Sequence, residues 1–276
     1  MKVSANSETG CLRAVLLGFI DDYKIGNPVN SVQRYYYKQD PPRSALMTEQ
    51  YERLAETFEN QGVRVCRYDR RPENMDRPFV RDAIAVIDDT LFICSMKNRQ
   101  PPNIKDLLAK IESPVIQAEA GILEGGDIIL DKNILYLGMG ERTDAAGFEW
   151  LKRKLGHKLE IQPVHLTSET LHLDVVFNLA GKNIALIYSP AFEKSSLDIL
   201  KKRYRLFDVS PEEQFALGIN IVSLTPETII SEKRAVRINA FFKKEGFDVI
   251  TVDYSEVSKL GGAFRCSTCP LIRDRI

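Results

Sequence analysis

Apolar residues in this chain fall into short runs set in pairs around a polar turn, each pair followed by a stretch of helical spacing and then one more run. Residues 79 to 96, FVRDAIAVIDDTLFICSM, read as two strands around Asp88 and Asp89; 103 to 111 is helical and PVIQ from 114 is extended. Residues 124 to 140, EGGDIILDKNILYLGMG, turn at Asp131 to Asn133, with a helix over 143 to 155. Residues 171 to 189 turn at Gly181 to Asn183 and lead into a helix from about 195. Residues 218 to 231 turn around Pro226, a helix follows over 232 to 244, and FDVITVD is the closing strand. The order recurs, which is the mark of a repeat architecture.

The first strand of each hairpin carries a polar residue where a buried strand favours an apolar one: Asp82, Asp127, Asp174 and Asn220. With Cys266 in the last strand-like piece, GGAFRC, the spacings are 45, 47, 46 and 46 residues. Regular exceptions of this kind place equivalent strands around one shared central space. GGAFRC has no following hairpin partner and the N-terminal run CLRAVLLG has no preceding one, so the two are expected to pair. A helix over 47 to 60 and the strand GVRVCRY complete that unit. Five ββαβ units about an axis make a closed α/β-propeller with pseudo-fivefold symmetry. No linker rich in Pro, Gly or Ser divides the chain, so residues 1–276 are expected to form a single domain. The least regular stretch, 21 to 46, reads either as a lid or binding loop or as a solvated excursion.

Composition narrows the function. Basic and acidic side chains balance at 38 each, and no polybasic run is present, so neither the overall field nor any local patch favours nucleic acid. The apolar run near the N-terminus is too short to span a bilayer and lacks a small-residue cleavage site, which predicts a cytoplasmic protein with no membrane partner. Five scattered cysteines, an odd number, do not form a disulfide framework. Cys266 and Cys269 make a CxxC, but no second pair or clustered histidines complete a zinc site, and Pro270 argues against a redox helix.

Of three histidines, His172 lies in a strand-like segment with a carboxylate two residues on, His-Leu-Asp, and by the period of two His172 and Asp174 face the same side. Alone, such a pair is as often a structural hydrogen bond as a chemical one, and an isolated cysteine reads as a buried thiol. The coincidence of Cys266 with the repeat position of Asp82, Asp174 and Asn220 shifts the reading toward chemistry. A thiol, an imidazole and several acids around one space call for a cationic, planar, electrophilic substrate. A guanidinium fits, since carboxylates accept paired hydrogen bonds from its N–H edges and its charge favours a thiolate.

The motifs FVRD (79 to 82), EGGD (124 to 127), GERT (140 to 143), HLDVVF (172 to 177), GIN (218 to 220) and GGAFRCSTCPLIR (261 to 273) resemble, in order and spacing, the guanidine-modifying enzymes. That superfamily includes arginine deiminases, dimethylarginine dimethylaminohydrolases and arginine amidinotransferases. The resemblance runs the length of the chain and implies the pentein fold, a five-bladed α/β-propeller. It places the nucleophile at Cys266, the general acid and base at His172, and a further active-site carboxylate at Glu124. It assigns the guanidinium clamps to Asp82 and Asp174, the substrate carboxylate to Arg142 and Arg99, an aromatic wall to Phe79 and the amino-acid head to Asp76. It implies no cofactor and no metal, and gives Cys269 no catalytic role.

The reaction implied is attack by Cys266 on the guanidinium carbon, loss of an amine protonated by His172, and hydrolysis of the resulting amidino-thioether by water. In an amidinotransferase a second amine replaces that water. EGGD, GERT and the ending PLIR resemble the hydrolytic deiminases, whereas GGxFxCxTC resembles the amidinotransferases. His-x-Asp resembles enzymes that grip an unsubstituted guanidinium, which counts mildly against dimethylarginine. The chain is shorter than arginine deiminases and nearer in size to the dimethylaminohydrolases. The expected activity is therefore hydrolysis of arginine or a close derivative, with amidino transfer as the alternative and a non-catalytic guanidino-binding propeller as a third reading. The partner expected is a small guanidino substrate, with a homodimer left open.

Overall fold

The computed structural model describes residues 1–74, 77–97, 100–167 and 170–276, and within them the apolar runs form five three-stranded sheets. Four share one plan, in which an antiparallel hairpin is joined by a third strand running parallel to the hairpin's second strand. They are built from Ile84–Ile87, Thr90–Ile93 and Val115–Gln117; from Ile128–Asp131, Ile134–Met139 and Glu160–His165; from Phe177–Gly181, Ile184–Ile187 and Arg205–Asp208; and from Val222–Ser223, Thr228–Glu232 and Asp248–Val252. In the fifth, Leu12–Leu17 pairs antiparallel with Thr268–Arg273 and parallel with Arg64–Arg67, so its hairpin is made of strands from opposite ends of the sequence.

The hairpin turns fall where polar residues interrupt the apolar runs. Asp88, Lys132, Lys182 and Asn183 take positive φ values of 51° to 59°, the left-handed backbone that tight hairpins require. Each third strand is preceded by a helix, and the longest of them carries a clear apolar stripe. Ser44–Asn60 buries Met47, Tyr51, Leu54, Ala55 and Phe58, at helical spacing. Ala145–Leu155 is capped by Asp144, whose side chain accepts from the Gly147 amide at 2.8 Å. The helix expected over 103 to 111 shrinks to Lys105–Leu108, where Ile104 at the N-cap offers no side-chain acceptor.

Four expectations are corrected. The stretch 21 to 46 is not wholly irregular, because Asn30 caps a helix at Ser31–Gln39 and a second helix begins at Ser44. The C-terminal partner of Leu12–Leu17 is not GGAFRC but the six residues after Ser267. The expected strand residues Asp82, Asp127, Asp174, Asn220 and Cys266 all stand just before their strands, in tight turns or short 3-10 turns such as Gly125–Asp127 and Leu173–Val175. His172, at φ −140° and ψ 162°, is extended while Asp174 lies within the turn, so the two do not share a strand face by period. The turn brings the polar side chain inward and hands its backbone hydrogen bonds to the neighbouring unit.

The segment ahead of the first strand crosses several sheets. Ser4 bridges to Ile272, Ala5 to Asp88 and Ser7 to Asp131, while the Leu12 amide donates to the Leu224 carbonyl at 2.7 Å. Residues 5 to 10 are buried, Glu8 among them. Beneath the site the largest core cluster joins Val15, Ile129, Tyr136, Phe177, Ile187 and Phe264 from several sheets. Each such side chain adds roughly 1.5–3 kcal/mol by burial. Among the described residues no helix is long and apolar enough to cross a membrane.

Candidate active site

The five turns touch one another in succession, at the repeat spacing seen in the sequence. The Gly125 amide donates to the Asp82 carbonyl at 2.9 Å, and the Leu173 amide to Asp127 Oδ1 at 2.9 Å. Asn220 Nδ2 donates to the Asp174 carbonyl at 2.9 Å, the Cys266 amide to Asn220 Oδ1 at 3.2 Å, and the Arg81 amide to the Cys266 carbonyl at 3.1 Å. Asp127 and Asn220 thus satisfy buried backbone groups that strand pairing does not reach.

Within this ring one cluster is built on His172. Its Nε2 lies 2.8 Å from Glu124 Oε2 and its Nδ1 3.8 Å from Asp82 Oδ1. Glu124 is fully buried; its Oε1 accepts from the Lys97 amide at 2.9 Å and lies 3.4 Å from Arg142 Nη1. Gly126 lies under the imidazole, and a Cβ there would come within 2.8 Å of His172 Cγ. Burial pulls the His172 pKa down, but Asp82, the hydrogen bond with Glu124 and the charge of Asp127 outweigh it and raise the pKa to about 9. The ring is therefore an imidazolium near neutrality, with a proton available to donate. Burial lifts the Asp127 carboxyl to about 7, against the opposing pull of His172 and the hydrogen bonds from Thr143 and Leu173.

A second cluster is built on Cys266. Its Sγ is 3.6 Å and 3.8 Å from the two oxygens of Asp174 and 3.3 Å from Asn220 Nδ2. Burial first, then Asp174 and Asp82, push the thiol well above its ordinary range. Two carboxylates around a neutral thiol are an arrangement that an incoming cation would reverse. Behind them Arg265 Nη1 donates to Asp174 Oδ2 at 2.9 Å. Phe79 packs on Gly262, where a Cβ would fall 2.7 Å from its ring.

The structure gathers Cys266, His172, Glu124, Asp82, Asp174 and Phe79 and sets Arg142 beside Glu124. Asp76 and Arg99 lie outside the described residues. Sequence reasoning missed Arg265, although it adjoins Cys266 in the motif, and it missed Glu8, Thr143 and Gly126 as supports. Thr143 Oγ1 donates to Asp127 Oδ2 at 2.7 Å, and the Glu124 amide donates to Thr143 Oγ1 at 3.2 Å. Asp82, Glu124 and His172 each offer a ligand atom, all within 4.8 Å of one another, and are the group among the described residues that could hold a metal ion. A cavity of about 630 Å³ lies beside the ring, lined by Val29, Asn30, Leu171, Val175, Phe215 and Gly261, several of them chain neighbours of the site residues.

The family model described as N,N dimethylarginine dimethylhydrolase, eukaryotic, matches residues 24–273. A relative from Bacillus subtilis, strain 168, the uncharacterized protein YkgA, is 35% identical over 276 residues, 99% of this chain and 96% of its own length. The arginine deiminase of Mycobacterium tuberculosis, strain H37Rv, is 27% identical over 188 residues, 55% of this chain and 47% of its own length. The N-terminal domain of ArgZ bound to product, an arginine dihydrolase from the ornithine–ammonia cycle in cyanobacteria, superposes with a TM-score of 0.81 at 20% identity, covering 92% of this chain and 96% of that one. SxtG, an amidinotransferase of the saxitoxin biosynthetic pathway from Microseira wollei, gives 0.82 at 18%, covering 98% and 97%. At those identities the two structures share the fold.

Proposed function

The chain belongs to the N,N dimethylarginine dimethylhydrolase family, within the guanidine-modifying pentein superfamily, and from that premise we propose that it hydrolyses the guanidinium group of arginine or an N-substituted arginine through Cys266. The observation that carries the reading is the meeting of the Cys266 thiol, the protonated His172 and the carboxylates of Asp82, Asp174 and Glu124 in one buried ring. The five sheets are read as the blades of a closed propeller in a single domain, and the contact of Arg81 with Cys266 supports that reading.

A substrate guanidinium between Asp82 and Asp174 would supply the positive charge that the thiol lacks, and the thiol proton would leave to solvent as the cation enters. The Cys266 sulfur then forms a bond to the guanidinium carbon. His172, charged and hydrogen-bonded to Glu124, gives its proton to the departing nitrogen as the C–N bond breaks, which leaves an amidino-thioether and a neutral imidazole. That imidazole takes a proton from the attacking water, the C–S bond breaks, and a ureido product leaves. Arg142, 11% exposed at the side chain and beside Glu124, is read as the contact for the substrate carboxylate. Arg99 is kept as a second contact for the substrate carboxylate and Asp76 for the amino-acid head.

Incubating the protein with arginine and with dimethylarginine, each with and without an amine acceptor, and resolving the products by mass spectrometry tests this. Ureido product formed without acceptor is expected. Amidinated acceptor with no ureido product would instead establish amidino transfer, the reading favoured by the GGxFxCxTC motif. No conversion of any guanidine would remove the enzymatic reading.

A further inference from the structure

A buried chain of ion pairs leads from the segment at residues 3 to 10 to the sulfur of Cys266. Glu8 Oε1 accepts from Arg265 Nη2 at 2.9 Å, Arg265 Nη1 donates to Asp174 Oδ2 at 2.9 Å, and that oxygen lies 3.6 Å from Cys266 Sγ. All four residues are buried. Arg265 Nη2 also donates to the Ile128 carbonyl at 2.6 Å. Two further buried guanidinium groups act on Glu8: Arg81 Nη2 lies 3.9 Å from its Oε2, and the charge of Arg273 acts on it as well. Burial pushes the Glu8 carboxyl up, but Arg265 and Arg81 outweigh it and hold it at about 2.

We propose that Glu8 is a positioning residue for the guanidinium site: by sharing Arg265 from the side away from the ring, it leaves the Asp174 carboxylate facing Cys266 and the substrate cation. The inference rests on the function proposed above. Arg265, Arg81 and Arg273 all act on Glu8, and Arg265 and Arg81 act on Asp174 as well. With Glu8 neutral, Asp174 would answer those two guanidinium groups without its partner, and the field at the ring would turn against a cationic substrate while favouring a thiolate. A purely structural Glu8, anchoring its segment through the Leu130 amide at 3.4 Å, would carry no such effect.

Two variants of the full chain separate these roles. Glu8→Gln keeps the shape and an acceptor for Arg265 but loses the charge, and Glu8→Asp keeps the charge. In Glu8→Gln, KM for the guanidino substrate should rise roughly tenfold, and the pH profile of Cys266 alkylation by iodoacetamide should move about one unit toward acid. Glu8→Asp should restore both in part. A lowered Tm with KM and the alkylation profile unchanged would overturn the proposal and make Glu8 structural. If Glu8→Gln does not fold, Glu8→Ser decides, since it also removes the charge: a raised KM with the alkylation profile moved toward acid supports the proposal, and both unaltered defeats it. Absence of both turnover and selective Cys266 alkylation in the unaltered protein would instead overturn the proposed function, and this proposal with it.

Discussion

The two clusters of the ring are built to different tolerances. Around His172 one partner is close, Glu124 at 2.8 Å, with Asp82 3.8 Å from the other nitrogen and Gly126 pressing on the ring face. Around Cys266 no contact is that short: Asn220 Nδ2 lies at 3.3 Å and Asp174 at 3.6 and 3.8 Å, and the thiol is held neutral by burial and by like-signed neighbours. On the function proposed above, the difference gives the substrate its part: its charge would complete the thiol side, whereas the imidazole side already holds a proton to deliver.

The largest effect should come from the incomplete side. Cys266→Ser should lower kcat/KM by at least ~10³-fold and abolish the amidino adduct seen by intact-protein mass spectrometry; an adduct that persists would place the nucleophile elsewhere. On the other side, Gly126→Ala would put a Cβ 2.8 Å from His172 Cγ. Displacing the ring should cost kcat roughly a hundredfold with KM little changed. A change in KM alone would mean that the two sides are not separable.

Asp174→Asn should act on binding. Charge-assisted hydrogen bonds are worth about 1.5–3 kcal/mol, so KM should rise roughly ten- to a hundredfold. Because Asp174 also raises the thiol, the alkylation profile of Cys266 should move toward acid in this variant. The smallest effect is on stability. His172 has a folded pKa of about 9 against 6.5 for the free side chain, so its contribution is full below pH 6.5 and disappears as pH rises through 9. On the order of 3 kcal/mol is at stake. Thermal melts between pH 6 and 9.5 should show that loss, and Glu124→Gln should flatten it; equal slopes in the two proteins would detach Glu124 from the imidazole.

The regular spacing of Asp82, Asp127, Asp174, Asn220 and Cys266 was legible because each repeat sets one polar residue at the leading edge of its apolar run. The turns that hold these residues were not, because a short 3-10 turn before a strand leaves no period of its own. The helix at Ser31–Gln39 hid among tyrosines and prolines, although Asn30 supplied a cap signal. Arg265 and Glu8 lie 257 residues apart, and no local pattern announces a pairing over that distance. His172 and Glu124 likewise meet only through the fold, and a motif resemblance, rather than periodicity, singled out Glu124.

The pairing of Leu12–Leu17 with Thr268–Arg273 also sets the order in which the molecule can be finished. As the chain leaves the ribosome, the first strand waits for nearly the whole length of translation, with Arg64–Arg67 as its sheet partner until the last strand emerges. Cys266 arrives two residues before that last strand, so the thiol proposed as nucleophile reaches its pocket in the step that seals the sheet. Any nascent or truncated product that stops short of this step carries the acids and the imidazole without the sulfur, and on the proposed mechanism would be born inert.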